Sequence, residues 1–146
     1  LAVSLHATTD TVRHLLIPTS RHQRLRDLIS ACKQLPLKHR DRITFEYVLL
    51  EGVNDTPADA QRLARLLLGL RAKVNLIPLN AAPGIPFSRP SDQQIDRFAR
   101  SVATAGVIVS VRKSRGRDIR AACGQLIVEG GSGQSSAQRV AELLRK

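Results

Sequence analysis

Apolar positions along the chain follow two different spacings, which predict strands and helices in turn. Four short runs are apolar and rich in β-branched residues, as buried strands are. One of them, ITFEYVLL, also carries two aromatic rings, and each run is followed by turn-forming or polar residues. The predicted strands are Leu1–His6, Ile43–Leu50, Lys73–Pro78 and Val107–Val111.

The stretches between the strands show helical spacing and helix-capping residues. Over 21–35, the residues Leu25, Ile29 and Cys32 fall on one apolar stripe, so Cys32 is predicted to lie in the core. Thr56 is a predicted N-cap, with Pro57 at the first helical position and Asp59 three residues beyond the cap as in a capping box, and the helix presents a leucine face. Ser91 and Gln94 predict a second capping box, and a short segment from Thr8 to Pro18 and a terminal helix over 137–144 complete the set.

Strand and helix alternate, so the chain is predicted to be an α/β protein with a parallel sheet. Ligands of such sheets bind at the carboxyl ends of the strands. The polar groups expected there are Ser4 and His6, the segment 51–55, Asn80, and the residues from Arg112 onward.

Composition favours a globular domain that binds a polyanion. The chain has 146 residues and a formal net charge of +11, which favours RNA, DNA or an anionic membrane as partner. No apolar run is long enough to span a bilayer, and two cysteines make no disulfide framework, so a cytoplasmic protein is the expectation. The absence of methionine and a start inside a strand lead us to expect a piece of a longer chain.

The segment 111–126, VRKSRGRDIRAACGQL, combines one cysteine with a cluster of cations. Cations lower the pKa of a nearby thiol and also bind phosphates, so Cys123 is a candidate nucleophile carried to a nucleic acid. The alternative is a small buried thiol beside solvated arginines. The candidate RNA-binding residues are Arg112, Lys113, Arg115, Arg117 and Arg120.

Four segments, in order, resemble one enzyme family across nearly the whole chain. They are LAVSLHA (1–7), RITFEYVLLEGVND (42–55), KVNLIPLN (73–80) and RGRDIRAACGQL (115–126). Together they are similar to the carboxyl-terminal half of the radical S-adenosylmethionine enzymes that methylate carbon 2 of adenine in 23S rRNA and in some tRNAs. Relatives that methylate carbon 8 of the same adenine share the ACGQL ending, and they remain the alternative.

The resemblance implies a fold and a division of the chain. The fold is the C-terminal portion of an incomplete (β/α)6 radical-SAM barrel with parallel strands, followed by a C-terminal extension. Residues 1–112 would belong to the barrel, 113–129 would form the basic loop carrying the cysteine, and 130–146 would be a linker and terminal helix.

The resemblance also implies site residues. Cys123 matches the family's methyl-carrying cysteine, which forms an S-methylcysteine intermediate. Ser4, Leu5, His6 and Asn80 match residues that contact S-adenosylmethionine. The cysteines that hold the family's 4Fe-4S cluster would lie upstream of Leu1, so no metal ligand is assigned here, and the chain alone is expected to be inactive.

Partners implied by the family are 23S rRNA, tRNA and an electron donor such as flavodoxin, with a monomeric full-length enzyme and no membrane. Two local departures concern loops only: Ala81 stands where the family commonly has proline, and ATTD follows His6 in place of APND. Two alternatives in which the chain is not an enzyme remain. One is a non-catalytic basic RNA-binding module, and the other is a structural unit whose sheet edge pairs with a second copy.

Overall fold

The structure is a computed structural model, and it describes residues 1–80 and 83–113. These residues form four strands and four α-helices: two of the helices and a 3-10 helix at Pro18–His22 lie between the first two strands, and one helix lies between each later pair. In chain order the elements are β1 (Ala2–Ser4), α1 (Asp10–Leu16), α2 (Leu25–Lys33), β2 (Ile43–Leu49), α3 (Pro57–Leu66), β3 (Ala72–Pro78), α4 (Asp92–Thr104) and β4 (Ile108–Val111). In the described part, no helix is long and apolar enough to cross a membrane.

The four strands form one sheet in the order β1-β2-β3-β4, and every neighbouring pair is parallel. The predicted α/β class and parallel sheet are therefore confirmed. All four carboxyl ends lie at one edge, and β1 is an outer strand. Leu5 N–H and the Leu1 carbonyl both bond to β2, so the backbone groups of Ala2 and Ser4 point toward the unpaired side of β1.

Alternate residues of the strands serve two different faces of the sheet. On one face, Phe45, Tyr47 and Val74 are buried and pack against α2, α3 and α4. Cys32 lies in this core on α2, as predicted. The other face, which we call the open face, carries a polar row in register: Ser4, Glu46, Asn75 and Ser110.

A second, smaller apolar cluster lies where the strands end. It joins Ala7 and Leu16 to Val48, Leu50 and Ile77 at the carboxyl ends of β2 and β3. This cluster surrounds the loops after the strands with apolar side chains, so polar groups there must find protein partners.

The helix starts test the capping predictions directly. Thr56 caps α3 in a complete capping box with Asp59, and Pro57 is at the first helical position, as predicted. Ser91 caps α4 by accepting from the Gln94 backbone N–H. The predicted second box is wrong in its other half, because the Gln94 side chain donates to the Asp55 carbonyl and so ties α4 to the loop after β2.

The predicted helix over 21–35 is wrong at its amino end. The chain first forms the 3-10 helix Pro18–His22, which follows from proline fixing its own backbone angle, and α2 begins only at Leu25. Asp10 accepts a hydrogen bond from the Leu25 backbone N–H at 2.7 Å, so the start of α2 is capped by a residue fifteen positions earlier. Pattern reading within the segment gives no sign of such a contact.

Candidate ligand site at the carboxyl end of the sheet

His6 stands directly beyond β1 in a conformation that is unusual for a side-chain-bearing residue. Its φ is 58°, the left-handed region, and the residue is only 7% exposed. The Val48 backbone N–H donates to Nδ1 of the ring at 3.1 Å. Because Nδ1 accepts a hydrogen bond, the neutral ring carries its proton on Nε2.

Burial and charge both keep the His6 ring neutral. Desolvation, together with the positive charge of Arg13, lowers the pKa of His6 from 6.5 to about 4. At neutral pH the ring therefore offers an Nε2–H donor. It carries no charge and is not poised as a base.

Asn54 joins the ends of β1 and β2. Its side chain is 1% exposed, and its Nδ2 donates to the His6 carbonyl at 2.8 Å and to the Val48 carbonyl at 2.7 Å. Its Oδ1 accepts from the Leu50 backbone N–H at 2.8 Å. Both amide protons and the amide oxygen are thus used, so the geometry of the loop is fully determined by hydrogen bonds.

Arg13, on α1, is the buried charge of this region. It is 4% exposed, and its Nη2 donates to the Ser4 carbonyl on the unpaired side of β1 at 3.4 Å. Within the described residues, its Nε and Nη1 have no hydrogen-bond partner. A buried guanidinium with unused donors is costly, and an anionic or carbonyl partner would satisfy it.

A second polar group fastens the chain after β1 to α3. The Thr8 hydroxyl donates to Asp59 Oδ1 at 2.7 Å, and Arg62 binds both Thr8 and Asp59. Asp59 Oδ2 also accepts from the Thr56 N–H and hydroxyl, which completes the helix cap. Every one of these contacts is internal, so this cluster is structural and supports the loop that carries His6.

The residues predicted to contact S-adenosylmethionine lie at the carboxyl edge but differ in what they expose. Ser4 is exposed in the polar row, and Asn80 is half-buried directly after β3. The Leu5 side chain is wholly buried in the core, and its N–H donates to the Glu46 carbonyl at 3.0 Å. A ligand contact from Leu5 would have to use its carbonyl oxygen.

Arg112 and Lys113 are exposed beyond β4, as a polyanion-binding role requires. The other predicted functional residues lie outside the described residues, and with them the boundaries proposed beyond 113. They are Cys123, Arg115, Arg117 and Arg120. Among the described residues no group of three or more His, Cys, Asp or Glu is placed to hold a metal ion.

Arg13 and Asn54 were not singled out from the sequence. An arginine four residues beyond an N-cap reads as a solvated helix position, and an asparagine before aspartate and threonine reads as a turn. The one available signal was the pattern of Asn54 in a loop directly after a buried strand, since such loops gather at the ligand edge.

A shallow cleft lies between the start of α3 and one side of α4. It is lined by Asp55, Pro57, Gln94, Arg97, Phe98 and Ser101. Partial burial raises the pKa of Asp55, although its carboxylate accepts from the Gly52 N–H at 2.9 Å. None of the residues predicted to contact S-adenosylmethionine lines it, so we assign it no role.

Comparison with known proteins supplies the decisive observation. The dual-specificity RNA methyltransferase RlmN of Anaeromyxobacter dehalogenans is 52% identical over 143 residues, which is 98% of this chain. The RlmN of Syntrophobacter fumaroxidans is 50% identical over 131 residues. The chain is a homologue of the RlmN methyltransferases. No protein-family model matches the chain.

The match covers only part of these relatives. The chain spans 38% of the length of each of the two RlmN relatives. It therefore corresponds to little more than a third of an RlmN chain.

Two solved structures are also similar to this chain. A radical SAM methyltransferase from Sphaerobacter thermophilus superposes with a TM-score of 0.77 at 52% identity, over 86% of this chain and 37% of that one. A domain of a pyruvate-formate lyase-activating enzyme from Bacteroides vulgatus gives a TM-score of 0.60 at 16% identity, which bears on the fold alone. The expectation of a partial radical-SAM barrel is confirmed.

Proposed function

We propose that this chain is the C-terminal part of a radical S-adenosylmethionine methyltransferase that modifies carbon 2 of adenine in 23S rRNA and in tRNA. The observation that carries the proposal is 52% identity, over 98% of the chain, to a protein named a dual-specificity RNA methyltransferase. The EYVLLEGVND and VNLIPLN segments favour the carbon-2 branch over the carbon-8 branch.

The carboxyl edge of the sheet offers groups suited to S-adenosylmethionine. His6 presents a neutral Nε2–H, Ser4 a hydroxyl, and Asn80 an amide with donors and an acceptor. Nε and Nη1 of Arg13, which have no hydrogen-bond partner among the described residues, suit the ligand's carboxylate. In this proposal these residues bind and orient the cofactor, which supplies the methyl group and the radical chemistry.

The described residues do not fit a 4Fe-4S cluster, which needs several cysteine thiolates. Cys32, the described cysteine, is buried in the core, and burial raises the pKa of its thiol. We therefore place the cluster in the remainder of the full-length enzyme and derive no step from it here.

Cys123 is the proposed methyl carrier. Its thiolate would accept a methyl group and deliver it to adenine, and the neighbouring cations would favour the thiolate and hold RNA phosphate. Arg112, Lys113, Arg115, Arg117 and Arg120 are the proposed phosphate contacts. The electron donor is proposed to be a flavodoxin-like protein, and the full-length enzyme a monomer.

The test is analysis of the methylated base in rRNA and tRNA from cells that depend on the full-length enzyme. Wild-type enzyme should give 2-methyladenine, Cys123→Ala should give none, and the matched control Cys32→Ala should keep activity. Methylation at carbon 8 would move the assignment to the related branch. Unmodified RNA with the wild-type enzyme would favour an RNA-binding module.

A further inference from the structure

Asn54, His6 and Val48 form a closed set of hydrogen bonds. The Val48 N–H donates to the His6 ring, and the Val48 carbonyl accepts from the Asn54 amide. The same amide donates to the His6 carbonyl at 2.8 Å. Both the ring and the backbone of His6 are thus held, each by a different contact.

This arrangement answers a conformational problem at His6. A non-glycine residue with φ of 58° is disfavoured and persists only when its surroundings fix it. The bond from Asn54 to the His6 carbonyl fixes the peptide that follows the strained residue. Asn54 is itself held by the Leu50 N–H and by the Tyr47 hydroxyl, which donates to the Asn54 carbonyl at 2.8 Å.

The ring atom left over is the one a ligand can use. Nδ1 is occupied by the Val48 N–H, so Nε2 is the ring nitrogen that carries the proton and can donate to a ligand. The backbone bend at His6 decides where Nε2 points.

We infer that Asn54 is a positioning residue, which holds His6 in its left-handed conformation so that Nε2–H donates to S-adenosylmethionine. The inference rests on the proposed function for the identity of the ligand. Asn54 itself has no amide proton left for a ligand, so it acts through His6.

The test uses the full-length enzyme uniformly labelled with 15N. In the wild type, His6 should show one tautomer with Nε2 protonated, and a coupling across the hydrogen bond should link Val48 N to His6 Nδ1. A wild-type ring protonated on Nδ1 would overturn the inference without any variant.

Asn54→Asp removes both amide donors but keeps the size and the acceptor for Leu50. We expect the His6 nitrogen shifts to become those of mixed tautomers, and the KM for S-adenosylmethionine to rise about tenfold, the effect of one lost buried hydrogen bond, with a smaller change in kcat. The matched control is Asn75→Asp, on the open face, which should leave the His6 spectrum unchanged. Unchanged His6 shifts and KM in folded Asn54→Asp enzyme would overturn the inference.

The two proposals fail differently. If the wild-type enzyme neither binds S-adenosylmethionine nor methylates RNA, the proposed function fails, and the ligand named in this inference fails with it. If the enzyme methylates RNA but Asn54→Asp changes neither the His6 nitrogen shifts nor the KM for S-adenosylmethionine, only the positioning role fails.

Discussion

The backbone N–H of Val48, on β2, donates to Nδ1 of His6, just beyond β1, at 3.1 Å. This contact joins two strands' ends through a side chain and fixes the ring's tautomer. It also leaves a buried imidazole that must stay neutral for the hydrogen bond to exist. The loop that follows β1 therefore depends on the protonation state of one residue.

His6 makes the stability of the fold depend on pH. Folding lowers the pKa of His6 from 6.5 to about 4. Between these two pH values His6 is protonated in the unfolded chain and neutral in the folded chain. Stability is therefore full above pH 6.5 and is lost as pH falls, by about 3 kcal/mol once pH drops below 4. Denaturant unfolding should give a lower free energy of unfolding at pH 5 than at pH 7 in the wild type and in the exposed-site control His22→Gln. His6→Gln should not show this loss. An equal loss in His6→Gln would contradict this assignment.

Arg13→Met should separate folding from ligand binding. Removing a buried guanidinium, two of whose nitrogens lack a hydrogen-bond partner within residues 1–80 and 83–113, should raise the stability of the ligand-free enzyme by about 1 kcal/mol. The stabilisation that S-adenosylmethionine confers should decrease, because the ligand's carboxylate loses the guanidinium that binds it. Thermal unfolding with and without S-adenosylmethionine measures both effects, and exposed Arg26→Met is the control. A ligand-induced shift that survives in Arg13→Met would exclude Arg13 from the site.

Asp59 is expected to matter for stability more than for chemistry. Asp59→Ala removes half of the α3 capping box and leaves the hydroxyl of Thr8 and the charge of Arg62 without their partner. We expect a loss of about 2–3 kcal/mol in the free energy of unfolding. Asp92→Ala, an exposed first-turn acid on α4, should cost far less. Equal losses in the two variants, measured by urea unfolding, would argue against a buried role for Asp59.

The basic segment after β4 should set the salt dependence of RNA binding. Arg112→Glu and Arg117→Glu should each weaken RNA affinity. Each should also reduce the steepness of log K against log salt concentration by about the amount that one phosphate contact contributes. Arg100→Glu, exposed on α4 and paired with Asp96, should leave the slope unchanged. Filter binding over a salt series measures this. A slope unaffected by both segment variants would place the RNA elsewhere.

The sequence predicted what local chemistry determines. The Thr56–Asp59 capping box, the buried Cys32 stripe and the four parallel strands follow from periodicity and from residues three or four positions apart. The late start of α2 depends on Asp10, and the roles of Arg13 and Asn54 depend on contacts between segments far apart in the chain. The spacing of apolar residues does not predict contacts between segments that are far apart in the chain. The proposed ligand-binding and catalytic residues, above all Cys123, come from resemblance to a family.

The central claim is that Cys123 carries the methyl group, and one mass measurement tests it most directly. The full-length enzyme, purified without oxygen with its cluster intact and given S-adenosylmethionine, is digested, and its two cysteine peptides are weighed. The account predicts a peptide one methylene heavier on the sulfur of Cys123, with the Cys32 peptide unmodified. An unmodified Cys123 peptide from such enzyme would contradict it.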